Sequence, residues 1–448
     1  MSKVIKKLFS PFCIFISLLL LTYVYYKSEF IWQGARRDYY FSYYIISLSI
    51  LIFSIFTFFL REKIKIYLSI IFFSTFLTFY LFEVYLIFND STFRKAKIYK
   101  QKTGKIFDKR SKLEIYNDLK KIEKEITIAS FPFKYLNKSN INFLPLSGKS
   151  YAKTIFCNEN GYYSIYQSDR YGFNNPDEEW DKKEVEYLLI GDSFVHGACV
   201  NRPNDISSKL RKISKKSAIS LGYGSNGPVL EYASLREFFP NKVKNVIWFY
   251  YEGNDVKDLS NELGNNFLKK YLKDISFSQD LKKKQALVDN LSMEIIDIEK
   301  KKVEENLKKS LNRKKIYSFL KLKNLRSHLN ILLPNKRRPP TQNLIRSEFK
   351  QILKLAKKLT EKEGSNFYFV YLPTYKRYKK IDNNDKNYIK IKSIMNELKI
   401  PFIDIHKKVF EKEKNPLKLF PFEMYAHYTI EGNEKIAQTV YKFIKNRN

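Results

Sequence analysis

Cysteine and histidine are both scarce in this chain of 448 residues. Its three cysteines, Cys13, Cys157 and Cys199, include no C-x-x-C pair, which argues against a structural zinc site. Its four histidines are His196, His328, His406 and His427, so any imidazole chemistry must use one of these. Acidic residues are few as well: 46 Asp and Glu face 81 Lys and Arg, for a formal net charge of +35. No zinc-finger, helix-turn-helix or RNA-binding signature accompanies that charge, and the lysines are scattered rather than gathered in a block. The charge therefore reads as the bias of a chain rich in Lys, Ile, Asn, Tyr and Phe, with no nucleic-acid partner expected. With 44% hydrophobic residues a sizeable core is available, and the length suits two or three parts.

Charge is missing altogether from three early stretches. Leu8 to Tyr26, Tyr39 to Leu60 and Ile66 to Phe82 contain none, and after Glu83 the third run resumes to Phe88. About 20 apolar residues cross a bilayer, so residues 1–90 read as a three-helix transmembrane anchor with the lipid bilayer as partner. Lys3, Lys6 and Lys7 before the first span, and Arg61, Lys63 and Lys65 between the second and third, place those loops in the cytoplasm, although Lys27, Arg36 and Arg37 pull the other way. An odd number of spans then leaves the remaining chain outside the cytoplasm. In that compartment Cys157 and Cys199 are candidates for an intramolecular disulfide.

From residue 184 the pattern alternates. The runs 185–190, 218–221, 243–251, 366–372 and 400–405 are strand-length and rich in β-branched or aromatic residues. Helical patterns fall at 205–215, 229–239, 344–362, 385–397 and 431–445. No hairpin turns separate the strands, which implies an α/β domain with a parallel sheet covered on both faces. A charged helical insertion at about 260–340 interrupts this rhythm; it is read as a solvated arm, or else as a basic face for anionic lipid or an acidic polymer, with "NKRRPP" (335–340) returning the chain to the sheet. Residues 91–183 are turn-rich and aromatic, and are expected to be a linker and irregular hairpins packed on the domain.

Open parallel sheets place their sites at the carboxyl ends of the strands. Gly191-Asp192-Ser193 follows the first strand, "GYGSNGP" (222–228) the second, "EGND" (252–255) the third, and His427 lies beyond the fifth. A hydroxyl, a glycine-rich loop, a carboxamide and an imidazole on one rim suit acyl transfer: the serine needs a base, and the tetrahedral intermediate needs donors for its oxyanion. His196 is only three residues from Ser193 and would need unusual backbone geometry to act as its base, so His427 is preferred. "GYGSNG" also fits a dinucleotide fingerprint with Glu252 as ribose partner, but it follows the second strand where that motif follows the first.

In this order the segments resemble the SGNH (GDSL-type) hydrolase superfamily, over about 184–448. The resemblance implies a flavodoxin-like three-layer α/β sandwich, an ester-hydrolysing or acyl-transferring activity, and no cofactor. It matches the family's serine to Ser193, its asparagine to Asn254 and its histidine to His427. It further implies a membrane-anchored bacterial protein of the inner (cytoplasmic) membrane, with a periplasmic domain acting on acylated polysaccharide or lipid. Three features depart from the pattern: the Asp before the histidine, the glycine loop, and the usual Asn-rich stretch after the histidine, which is Tyr428-Thr429 here. Met424 stands where the family has the Asp of Asp-x-x-His, leaving Glu423 or a Ser–His dyad. Ser220 replaces the Asn before the glycine loop. Ser225 takes the place of its last Gly, so the oxyanion donor there is Ser225 or its neighbour Gly224.

Overall fold

The computed structural model describes residues 2–34, 37–88, 91–136, 143–308, 311–332, 345–379 and 385–447. The "NKRRPP" return loop lies outside the described residues. The chain divides into two compact units, Met1–Asp90 with Asn312–Asn335, and Ser91–Leu311 with Lys336–Asn448.

In the first unit α1 (Ser2–Tyr25), α2 (Arg37–Phe56) and α3 (Glu62–Phe88) supply three helical stretches long and apolar enough to cross a membrane, Leu8–Ile31, Arg37–Phe59 and Glu62–Phe88. Their apolar side chains point outward. Two of their hydroxyls pair within the helices: Ser17 Oγ donates to the Cys13 carbonyl (2.7 Å) and lies 2.7 Å from Ser54 Oγ, which bonds the Ile50 carbonyl (2.8 Å), while the buried Ser10 hydroxyl has no partner among the described residues.

The second unit carries eight strands: β1 (Ile126–Ile128), β2 (Lys153–Ile155), β3 (Ile165–Gln167), β4 (Val185–Ile190), β5 (Ala218–Ser220), β6 (Val243–Tyr251), β7 (Asn366–Leu372) and β8 (Phe402–Asp404). The last five form one parallel sheet in the order β5-β4-β6-β7-β8. This is the doubly wound order, with a switch point between β4 and β6. Period-two alternation splits the strands between two cores. Leu188, Ile190, Val246, Trp248 and Phe369 pack toward the helices Pro228–Phe238 and Ser347–Lys362; Leu189, Ile247 and Val370 pack toward Ile206–Ser214 and Ile430–Lys445. Helices thus cover both faces in three layers.

Residues 91–183 belong to this unit and are more regular than a turn-rich composition suggests. The helix Ser91–Thr103 is followed by Lys112–Lys120, whose N-terminus carries a reciprocal capping box between Ser111 and Glu114. The strands β1, β2 and β3 form a second small sheet, parallel then antiparallel. Cys157, just after β2, is disulfide-bonded to Cys199, 42 residues on. Opening a loop of that length costs about 4 kcal/mol on chain-entropy grounds. The double variant Cys157→Ser/Cys199→Ser is therefore expected to unfold at lower urea by about that amount, and reductant should lower wild-type stability but not the variant's.

One buried group works against the fold. Glu231 is 1% exposed, and neither carboxyl oxygen makes a hydrogen bond among the described residues. Burial, with Asp255 and Asp192 nearby, pushes its pKa well above the usual carboxylate range. Such a group is protonated in the folded chain and ionised in the unfolded one, so stability falls as pH rises from about 4.3 toward the folded value. Glu231→Gln should raise stability at pH 8 by about 1–3 kcal/mol and flatten its fall between pH 5 and 8, read from urea midpoints.

Candidate active site

Ser193 is presented by a turn that admits little else. A Cβ on Gly191 would lie 2.5 Å from a Val195 methyl and 3.1 Å from the Phe249 carbonyl, so the β4 end passes tightly against its neighbours. Asp192 caps the short helix Ser193–His196, its Oδ1 accepting from the Phe194 N–H at 2.9 Å, and Gly197 ends that helix in the left-handed region (φ 81). Ser193 therefore sits at the first turn, at the carboxyl edge of the sheet, beside the β4/β6 switch point.

Its hydroxyl meets His427. Ser193 Oγ lies 2.8 Å from His427 Nε2. His427 comes from the loop between β8 and the helix Ile430–Lys445, and its ring packs on Phe194 with centroids 4.7 Å apart. On the other side of the imidazole, Nδ1 lies 2.9 Å from Glu159 Oε2, and the same oxygen accepts the His427 backbone N–H at 2.7 Å. Glu159 thus fixes both the ring and the chain that bears it. Burial alone would lower the His427 pKa, but the carboxylates of Glu159 and Asp192 outweigh it and hold it above the ordinary 6.5. Burial alone would raise Glu159, and its contacts with His427 bring it below the usual range. A carboxylate therefore faces Nδ1 while Nε2 faces the hydroxyl.

The carboxylate at His427 is Glu159, not Glu423. The Glu423 side chain is exposed, and its backbone carbonyl accepts from the Tyr375 hydroxyl at 2.9 Å. Phe422 and Glu423 both adopt positive φ (56 and 55), so the chain turns back at this point and does not lead the carboxylate toward the ring. Nor is a Ser–His dyad the arrangement seen. Glu159 lies in a stretch without periodicity, and sequence reasoning missed it. Its signal was Cys157, two residues earlier: the disulfide holds this loop against the one carrying Ser193, with Asn160 Nδ2 donating to the Cys199 carbonyl at 2.7 Å.

The remaining candidates divide. The backbone N–H of Ser225 has no acceptor among the described residues, nor does that of Ser193. Ser225 holds the left-handed conformation (φ 62) that a glycine would adopt freely. Gly224 is engaged elsewhere: its N–H donates to His196 Nδ1 at 3.2 Å. Asn254 caps the start of the helix Asp255–Glu262 and donates Nδ2 to Asp258 Oδ2 at 2.7 Å, leaving its buried Oδ1 without a hydrogen-bond partner. His196 itself is buried between the rings of Phe156 and Tyr223 (centroids 4.3 and 4.5 Å away), and burial pushes its pKa down to about 3. It is a neutral structural acceptor that shapes the glycine loop.

Ligand atoms of Glu159, Cys199 and His427 lie within 4.8 Å of one another. The Cys199 sulfur is bonded to Cys157, so it is not a thiolate, and the other two groups already hydrogen-bond each other. The dinucleotide alternative fits poorly, since Glu252 is buried, ion-paired with Arg377 and accepting from the Thr374 N–H. A cavity of about 570 Å³ opens beside the His427 loop, lined among others by Tyr99, Asn160, Tyr162, Phe422 and Thr429.

No family model matches the chain, and no curated protein matches it. Solved structures do. A G-D-S-L family protein from Desulfitobacterium hafniense DCB-2 is similar at 14% identity over 58% of this chain and 98% of its own, with a TM-score of 0.32. An acetyl xylan esterase is similar at 11% over 58% of this chain and 100% of its own, TM-score 0.32. A lipase/acylhydrolase from Enterococcus faecalis is similar at 11% over 59% and 96%, TM-score 0.32.

Proposed function

We propose that this chain is a membrane-anchored SGNH-type serine esterase whose catalytic unit works outside the cytoplasm. The observation that carries the reading is the unbroken run of contacts from Ser193 Oγ through both nitrogens of His427 to Glu159, at 2.8 and 2.9 Å. In this reading His427 Nε2 takes the hydroxyl proton as Ser193 attacks the acyl carbon, and Glu159 stabilises the imidazolium that forms. His427 then returns the proton to the departing alkoxide, and a water activated by the same nitrogen hydrolyses the acyl-enzyme. The N–H groups of Ser193 and Ser225 receive the oxyanion, and Asn254 joins them if its amide leaves Asp258.

The substrate is placed among acyl esters of envelope carbohydrate or lipid, with the non-reacting part in the cavity of about 570 Å³, whose aromatic and lysine lining suits a sugar or headgroup. An acyltransferase would share the acyl-enzyme and differ only in the second nucleophile. The three apolar spans support a multi-pass anchor in the inner membrane of a bacterium, and the disulfide supports a periplasmic catalytic unit. The test is labelling of the full-length protein with a fluorophosphonate probe followed by peptide mapping. Phosphonylation at Ser193 is expected; an unlabelled protein that also fails to turn over p-nitrophenyl acetate would leave a binding or scaffold protein instead.

A further inference from the structure

The third span carries a carboxylate in its interior, Glu83, and its partners are 241 and 242 residues away. Glu83 is fully buried. Its Oε1 accepts the backbone N–H and the side-chain amide of Asn324 at 2.9 and 3.0 Å, and its Oε2 accepts the Leu325 N–H at 2.7 Å. These N–H groups belong to the first turn of the helix Lys323–Leu332, where an anion completes the unpaired backbone donors. One turn earlier along α3, the Tyr80 hydroxyl donates to the Leu320 carbonyl at 2.9 Å, and its ring meets Phe319 with centroids 5.1 Å apart. The end of the helical insertion, residues 311–332, is thus fastened to α3 and grouped with the membrane helices.

The depth of that attachment matters. The 27 residues of α3 extend about 40 Å, some 10 Å more than the hydrocarbon of a bilayer. Tyr80 lies about 12 Å before the helix end at Phe88, so a centred span puts it roughly 7 Å inside the hydrocarbon boundary. Helices lying in a membrane interface bury their apolar face to about that depth. The attached segment has the matching composition: Ile316, Tyr317 and Leu320 are exposed at 55%, 62% and 57%, while Lys321, Lys323 and Arg326 are exposed cations. The Lys321 ammonium lies over the Tyr317 ring, 4.5 Å from its centroid, as a snorkelling lysine beside an interfacial tyrosine would.

We propose that Leu311–Leu320 and Lys323–Leu332 form a helical pair embedded in the leaflet at the C-terminal end of α3, with Ile316, Tyr317 and Leu320 among the acyl chains and Lys321, Lys323 and Arg326 at the headgroup phosphates. The proposal rests on α3 crossing the bilayer and is independent of the esterase reading. Glu83 then closes the attachment, its two oxygens taking the donors of Asn324 and Leu325.

The full chain, with Cys13→Ser to remove its free thiol, is reconstituted in phosphatidylglycerol-containing liposomes and spin-labelled at Ile316→Cys, Tyr317→Cys, Leu320→Cys or Lys321→Cys. Power saturation compares collision with oxygen and with a nickel chelate. The oxygen-to-nickel ratio is expected to be about threefold higher at 316, 317 and 320 than at 321, as for an apolar face in lipid. Nickel-dominated collision at all four positions overturns the proposal. Glu83→Ala should shift position 317 toward nickel access, while Glu83→Gln, which keeps one acceptor, should shift it less. An unchanged ratio in Glu83→Ala overturns the attachment role of this carboxylate.

Discussion

Ser193→Ala and His427→Ala are each expected to lower kcat/KM for p-nitrophenyl acetate by about four to six orders of magnitude, and the double variant by little more than either alone. The single losses correspond to about 5–8 kcal/mol of transition-state stabilisation. They are large because the hydroxyl is a poor nucleophile until Nε2, 2.8 Å away, can take its proton. They are non-additive because each group is useless without the other. Both side chains lie at the sheet edge, so circular dichroism and urea midpoints should remain near wild type. Wild-type turnover in Ser193→Ala would remove the serine from the mechanism outright.

Glu159→Gln is expected to lower kcat by about two to four orders of magnitude with little change in KM, whereas Glu423→Gln should stay within about twofold of wild type. The amide keeps the shape but loses the charge, and its NH₂ can face Nδ1, which favours the tautomer that puts the ring proton on Nε2 against Ser193. The pH profile separates this from a merely structural defect. His427 is held above 6.5 by Glu159 and Asp192 against the opposing effect of burial. The imidazole must be neutral to act as base, so wild-type kcat/KM should rise with pH through an apparent pKa above 6.5. Loss of the adjacent anion makes the protonated ring less stable, so the midpoint in Glu159→Gln should move to lower pH while the plateau drops. An unmoved midpoint would mean that another group sets the His427 charge.

The parts legible in the sequence are those with a local physical signature. The runs 185–190, 243–251 and 366–372 coincide with β4, β6 and β7, because short apolar stretches bounded by Gly, Pro or charge leave few alternatives. At 218–221 the strand stops at Ser220, as Leu221 already turns into the glycine loop. Ser193 and His427 were within reach of sequence reasoning because strand ends in a parallel sheet converge on one rim. Glu159 was not: it lies 268 residues before His427, in a loop whose position is set by a covalent cross-link rather than by periodicity. Taken as a distance restraint, the pair Cys157–Cys199 would have brought it close. Between Ser225 and Gly224 the sequence offered no choice, because no local pattern announces that a buried imidazole takes the Gly224 N–H. Glu83 read as an interruption in an apolar run, since its partners arrive from the far end of a helical insertion.

The bond between Cys157 and Cys199 has a consequence for the proposed chemistry, because it holds the loop that carries Glu159. A newly made polypeptide in a reducing compartment already holds the nucleophile and the base, but not the tie that keeps Glu159 at the imidazole. On that reading, oxidation of the two thiols completes the site, as an oxidising compartment would allow. On the proposed esterase reading, the reduced chain is then the slower catalyst, and the cross-link is what brings its carboxylate into play.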